Sequence, residues 1–120
     1  MKPRIDAAKF GWIEVGGVRY DHDIVIELDG VVRKRRKKLS KAIYGTSHRI
    51  SLDEARDVYR AGCAVLLIGS GHFGRAALSD EAEAFFKSHV VRVEVLPTPE
   101  AIRRWNALEE QALGLFHITC

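Results

Sequence analysis

The sequence predicts one α/β (or α+β) domain: a mixed central sheet with flanking helices and an antiparallel hairpin or meander at its N-terminal end. Three observations predict it. Short alternating strands separated by Gly-Gly and Asp-Gly turns fill the first third. "CAVLLI" (63–68) is apolar without alternation, the pattern of a strand covered on both faces. From Ser51 onward, capped helical patterns alternate with apolar strand patterns.

The elements follow in order. "GWIEV" (11–15) meets "VRY" (18–20) across Gly16-Gly17 as a hairpin. "IVIEL" (24–28) places Ile24, Ile26 and Leu28 on one face, and Asp29-Gly30 turns the chain back into "VVRKR" (31–35). Residues 1–10 read as a loose segment before this meander. Ser51 and Glu54 form a capping-box pattern ahead of a helix that turns Leu52, Ala55, Val58 and Tyr59 inward and stops at Gly62. After the strand at 63–68, Ser79 caps a second helix with Asp80 and Glu81 in its first turn and Ala82, Phe85 and Phe86 inward. "VVRVEVL" (90–96) is the next strand, parallel to 63–68 through a right-handed crossover. Thr98 then caps a third helix with Pro99 in its first turn. Ile102, Trp105, Leu108 and Ala112 are its buried side, and Gly114 its stop. "LFHIT" closes the chain as a short strand.

The chain of 120 residues is 47% apolar and 29% charged, the balance of a soluble globular domain. At that length a single domain buries enough surface to fold without a disulfide or metal. The longest apolar run, Ala64 to Ile68, is too short to cross a bilayer, so no membrane insertion is expected. "MKPRIDAAKF" has no apolar core of a secretory signal. Cys63 and Cys120 form no C-x-x-C, so a reduced, cytoplasmic setting is the expectation, with a disulfide between them left open. The net charge of +3 is unevenly placed. Residues 31–50 hold eight Lys or Arg and no acid, whereas the other 100 residues hold 11 basic and 16 acidic side chains. That is a localised field for anions.

"VLLIGSGHFG" (65–74) spells Gly69-x-Gly71-x-x-Gly74 after an apolar strand. A dinucleotide fingerprint needs its last glycine inside a helix, whose N-terminus holds the pyrophosphate. Here the next cap, Ser79, lies five residues beyond Gly74, and the acidic match, Glu94, falls inside a strand. The reading is therefore a backbone turn in which Gly69 and Gly71 take positive φ. A loop at the carboxyl end of a parallel strand is still where α/β domains place ligands. No cofactor is expected.

The order "IEVGGVRYDHDIVI", "DGVVRKR", "SHRISLDEA", "LLIGSGHFG", "LSDEAEAFF", "VEVLPTPEAIRRWN" and "GLFHITC" resembles a small domain family of unknown function. That family includes the adipogenesis-associated domain-containing protein and mitochondrial complex I assembly factor three. The resemblance covers nearly the whole chain. It rests most specifically on Gly69 and Gly71, and on Thr98 and Ala101 with Asn106 beyond them. It implies a compact α/β layer structure with a mixed sheet and a β-hairpin element. It also implies no established catalytic activity and, for one branch, a part in assembling a respiratory complex.

Candidate sites follow from chemistry. His72 in the glycine turn is the best polar group for a ligand or partner, and Gly69, Ser70, Gly71, Arg75, Thr98 and Asn106 complete the candidate binding group. "IGSGHFG" misses the spacing of a nucleophile elbow, so Ser70 is not read as catalytic. Thr98 is explained as an N-cap. Asn106 reads as a structural clasp on backbone, the Gly69–Gly71 turn being one partner. His117, between Phe116 and Ile118, reads as a hydrogen-bonded sheet histidine. No histidine pair shows metal spacing, so no metal site is expected. Cys63 reads as core, and Cys120, the last residue, as too mobile for a nucleophile unless that segment is pinned. Arg33, Lys34, Arg35, Arg36, Lys37 and Lys38 form a projecting basic hairpin, a candidate polyanion site and an edge that resists pairing. Together these point to a non-catalytic binding or assembly-factor-like module with a protein partner, a homo-oligomer included. The alternatives are a small enzyme with a pocket at Gly69–Gly74, or a nucleic-acid binder through residues 33–41.

Overall fold

The structure, a computed structural model, describes residues 2–120. Its centre is a five-stranded mixed sheet in the order β5-β4-β10-β7-β9. The strands are β4 (Ile24–Ile26), β5 (Val32–Lys34), β7 (Val65–Ser70), β9 (Arg92–Leu96) and β10 (Ala112–His117). β10 pairs parallel with β7 and antiparallel with β4, and β7 pairs parallel with β9. All six residues of both β7 and β10 are buried, the polar Ser70 and His117 at their ends included.

Side chains alternate across this sheet into two cores. One face carries Ile24, Ile26, Val65, Leu67 and Phe116. They pack against a three-stranded antiparallel sheet, β1 (Ile5–Lys9), β2 (Trp12–Val15) and β3 (Val18–Tyr20), and against Ala101 and Trp105 of α4 (Thr98–Ala107). The other face carries Val25, Leu66, Ile68, Leu113 and Leu115. They pack against Ala55 and Val58 of α2 (Leu52–Val58) and Ala82 and Phe86 of α3 (Asp80–Ser88). Between α1 (Lys38–Tyr44) and α3, β6 (Arg49–Ile50) and β8 (Ala77–Leu78) form a small parallel pair.

Several expectations are corrected. The N-terminal strands are not one meander: the Gly16-Gly17 hairpin lies in the small sheet, whereas the Asp29-Gly30 hairpin joins the main one. Residues 5–9 are not loose. They pair with β2, and Ile5 is in the core. Gly62 does not stop α2, which ends at Tyr59. Gly114 does not stop α4, which ends at Leu108. It lies within β10, where a Cβ would sit 2.9 Å from the Trp105 ring. Its lack of a side chain lets that indole approach the strand closely. Finally, β9 begins at Arg92; Val90 sits in a left-handed turn after α3.

Candidate functional site

The glycine turn closes without a helix. β7 runs through Ser70 into a turn at 71–74, then β8, and α3 starts only at Asp80 behind its Ser79 cap. The helix that follows the turn in sequence, α3, starts too late to present its N-terminus to the glycines as a dinucleotide fingerprint requires; it is the first residue of α4 that abuts the turn, Thr98 N donating to Gly71 O at 3.0 Å. Only Gly71 and Gly74 take positive φ; Gly69 does not. Gly69 is required for space instead: a Cβ there would lie 2.8 Å from the Phe116 ring and 3.0 Å from Thr98 Oγ1. At Gly71, φ is +99° and a Cβ would lie 2.5 Å from the Cys120 carbonyl carbon. The 119–120 segment lies against this turn. His72 N donates to Thr119 O at 2.7 Å and Arg75 N to Cys120 O at 3.2 Å. Cys120 is thus pinned.

Thr98 is not an N-cap. It is the first residue of α4, and its hydroxyl accepts from Gly71 N at 2.9 Å while donating to His117 O at 2.6 Å. It ties the turn to the end of β10. Asn106 is a clasp, but on β1 and not on the turn: its amide accepts from Ile5 N at 3.0 Å and donates to Ile5 O at 2.9 Å. Of the predicted group, then, the fold gathers Gly69, Ser70, Gly71, His72, Arg75 and Thr98, and leaves Asn106 apart. Ser70 is buried at the end of β7, and no histidine is bonded to its hydroxyl among the described residues. The rim of the turn is apolar: the exposed rings of Phe10 and Phe73 lie 6.0 Å apart, with His72 6.1 Å from Phe10.

Next to the turn lies a buried ionic network that the sequence did not reveal. Arg35, expected to project with its neighbours, is 3% exposed. Its guanidinium donates to both Glu54 oxygens at 2.5 and 3.0 Å, to Asp23 Oδ2 at 2.9 Å and to Ser47 O at 2.7 Å. Glu54 also accepts from Ser40 Oγ at 2.5 Å. Its carboxylate is therefore diverted from the capping box, although Ser51 still caps α2 through Glu54 N. Asp23 accepts from Ile118 N at 2.9 Å and from His117 Nδ1 at 2.7 Å. Burial by itself would raise the Asp23 carboxyl. The hydrogen bond and charge of His117, the Ile118 N–H and the Arg35 charge outweigh it and hold the group down at about 2. Burial likewise works against the Arg35 charge, but Glu54 and Asp23 raise its pKa overall. Every charge here has a partner of opposite sign, the condition under which buried ions are tolerated.

His48 and Cys120 border this network. The His48 ring meets His117 edge-on at 5.3 Å, and its Nε2 lies 3.7 Å from Cys120 Sγ. Burial, then the charges of His117, Arg75 and Arg35, push the His48 imidazole below its ordinary pKa. Both cysteines are free; burial pushes the Cys63 thiol up, as suits a core residue.

The rest of the basic run is divided. Arg33 pairs with Asp57 at 3.0 Å, and Arg36 with the same carboxylate at 2.7 Å. Lys34, Lys37, Lys38 and Lys41 have no acidic partner among the described residues. They line, with the three arginines, a groove of about 560 Å³. The segment is not a strand throughout: β5 ends at Lys34 and α1 starts at Lys38, and this bend makes the surface concave.

These features define a single-domain mixed α/β protein with a closed glycine turn, a buried ionic network and a lysine-lined groove. The chain belongs to the family described as "Protein of unknown function (DUF498/DUF598)", whose model matches residues 5–115. It is similar to a conserved hypothetical protein from Pyrococcus horikoshii OT3, with 32% identity over 98% of this chain and 99% of that one and a TM-score of 0.92. It is also similar to the protein MT938, at 30% identity over 99% and 100% of the two chains, TM-score 0.84. A Bordetella pertussis protein with a Mth938-like domain shares the fold at 22% identity, TM-score 0.65, over 97% of this chain and 85% of that one. Among the described residues, no helix is long and apolar enough to cross a membrane.

Proposed function

We propose that the protein is a non-catalytic binding module of the assembly-factor kind, and that it holds an acidic segment of a partner protein in the groove formed by residues 33–41. The observation that carries this reading is the division of the basic run. The three arginines pair with carboxylates of this chain, Arg33 and Arg36 sharing Asp57, while Lys34, Lys37, Lys38 and Lys41 line the same concave surface with no acidic partner among the described residues. Clustered lysines in a groove attract anions and lose little by exchanging water for carboxylates at the rim. No aromatic ring lines the groove, so it has no platform on which a nucleotide base would stack. That favours carboxylates over nucleic acid.

The test is fluorescence anisotropy with a labelled glutamate-rich peptide and, in parallel, a single-stranded RNA of mixed sequence. The expected result is binding of the peptide that disappears when the four lysines become glutamine. Four lysines on a polynucleotide would release counterions with a log–log salt slope of roughly −3. Tight RNA binding with that slope, and no peptide binding, would transfer the site to nucleic acid. Binding of neither would end the groove reading.

The turn supports a second contact surface. Phe10 and Phe73 are 56% and 68% exposed and stand side by side next to His72. Exposed paired rings are unusual on a surface that contacts only water. With His72 and Arg75, and over the buried Ser70 and Gly71, they form the edge at which a second copy of this chain docks. Sedimentation equilibrium should give a dimer that Phe73→Ser converts to monomer; a wild-type monomer at all concentrations would discard this edge.

A further inference from the structure

Outside the lysine groove, three soft or borderline donors converge from separated positions. His48 precedes β6, His117 ends β10 and Cys120 follows it; one ligand atom from each lies within 4.8 Å of the others. His48 Nε2 and Cys120 Sγ are 3.7 Å apart. Nitrogen and sulfur bound to one tetrahedral zinc ion stand about 3.6 Å apart, given the usual bond lengths. Two ring nitrogens on the same ion stand about 3.3 Å apart, and the partly exposed His48 ring can turn to close that distance.

Of the three donors, His117 is oriented most firmly. The Asp23 carboxylate only accepts, so His117 Nδ1 carries a proton, which makes Nε2, beside Thr119 Oγ1 at 3.3 Å, the ring atom that can offer a lone pair to a metal. A carboxylate behind a histidine in this way fixes the tautomer and raises ligand basicity. Asp23 is itself fixed by Ile118 N–H and the Arg35 guanidinium. The backbone of 119–120 is tied to His72 and Arg75, which settles where Cys120 sits. Two imidazoles and a thiolate suit zinc, cobalt(II) or copper; magnesium and calcium require oxygen ligands.

We propose that His48, His117 and Cys120 form a binding site for a borderline-soft transition-metal ion, zinc above all, with the fourth tetrahedral position open to water or an external ligand. Binding deprotonates the Cys120 thiol and releases that proton to solvent. His48, His117 and Cys120 are direct ligands; Asp23 is a positioning residue behind His117.

Cobalt(II) titration of chelator-treated protein tests this. The expected spectrum has a thiolate-to-cobalt charge-transfer band in the near ultraviolet and intense visible bands of a tetrahedral site, both bleached by zinc. Cys120→Ser should abolish the charge-transfer band, and His48→Ala should weaken zinc binding by about tenfold or more. Both positions are only partly buried, so urea midpoints in the absence of metal should match wild type and separate lost ligands from lost folding. The proposal is overturned by cobalt spectra without a thiolate band, or by zinc affinity unchanged in both variants.

Discussion

Arg35 stands third in a run of six cations, yet it is the one that the fold takes inside. The β4–β5 hairpin ends beside Asp23, whose carbonyl accepts Arg35 N at 2.9 Å, and this directs the side chain toward Glu54 of α2. Its planar fork satisfies two carboxylates and the Ser47 carbonyl together, which a lysine cannot do. Arg35→Ala strands Glu54 and Asp23 in the interior. We expect it to cost about 3–5 kcal/mol by urea denaturation, against no more than about 0.5 kcal/mol for Lys34→Ala at the adjacent, exposed position. Equal losses at the two positions would contradict the network. The sequence held one trace of this arrangement: Glu54 lies four residues before Val58, on the side of the helix that turns inward. The capping-box pattern gave Glu54 a sufficient local explanation and hid its second role. Asp23, His48 and Cys120 left no trace, because their meeting depends on contacts across up to 95 positions.

At the scale of elements, the end of α3 carries an avoidable strain. Val90 has φ of +57° and is 86% exposed. Left-handed backbone costs an L-residue about 1–2 kcal/mol, and branching at Cβ adds to it. Helices commonly place glycine at such a position. Val90→Gly gives up almost no buried surface, and the added freedom of the unfolded chain offsets part of the relief. The net expectation is stabilisation by about 0.5–1 kcal/mol, seen as a higher urea midpoint with an unchanged slope; a lower midpoint would show that Val90 is not strained. Local signals placed most elements well, because turns and caps act over a few residues: Gly16-Gly17, Asp29-Gly30, Ser51 and Ser79 all act where expected. They failed where a distant neighbour decides. Ile5–Lys9 lacks a clean alternation and is a strand only because β2 and Asn106 hold it. Gly114 resembles a helix stop but serves the Trp105 ring.

At the scale of the whole molecule, the order of the main sheet was not legible, since strand order follows from pairings between segments far apart. The strand latest in sequence, β10, lies at its middle, between β4 and β7. Both cores therefore meet on β10: Phe116 belongs to one, Leu113 and Leu115 to the other. Opening β10 alone would separate β4 and β5 from β7 and β9 and expose both layers, so no local opening of it costs much less than complete unfolding. The β1–β3 sheet, in contrast, touches only one face, and α1 buries only Ser40. Native-state hydrogen exchange should place the amides of β7 and β10 in the slowest class, with opening free energies equal to the global value and the same urea dependence. Amides of α1 should exchange through smaller openings with little urea dependence. If β10 amides exchanged faster than those of β7, the central strand would be loosely docked, and the network that Asp23 builds onto its end would not be holding the two cores together.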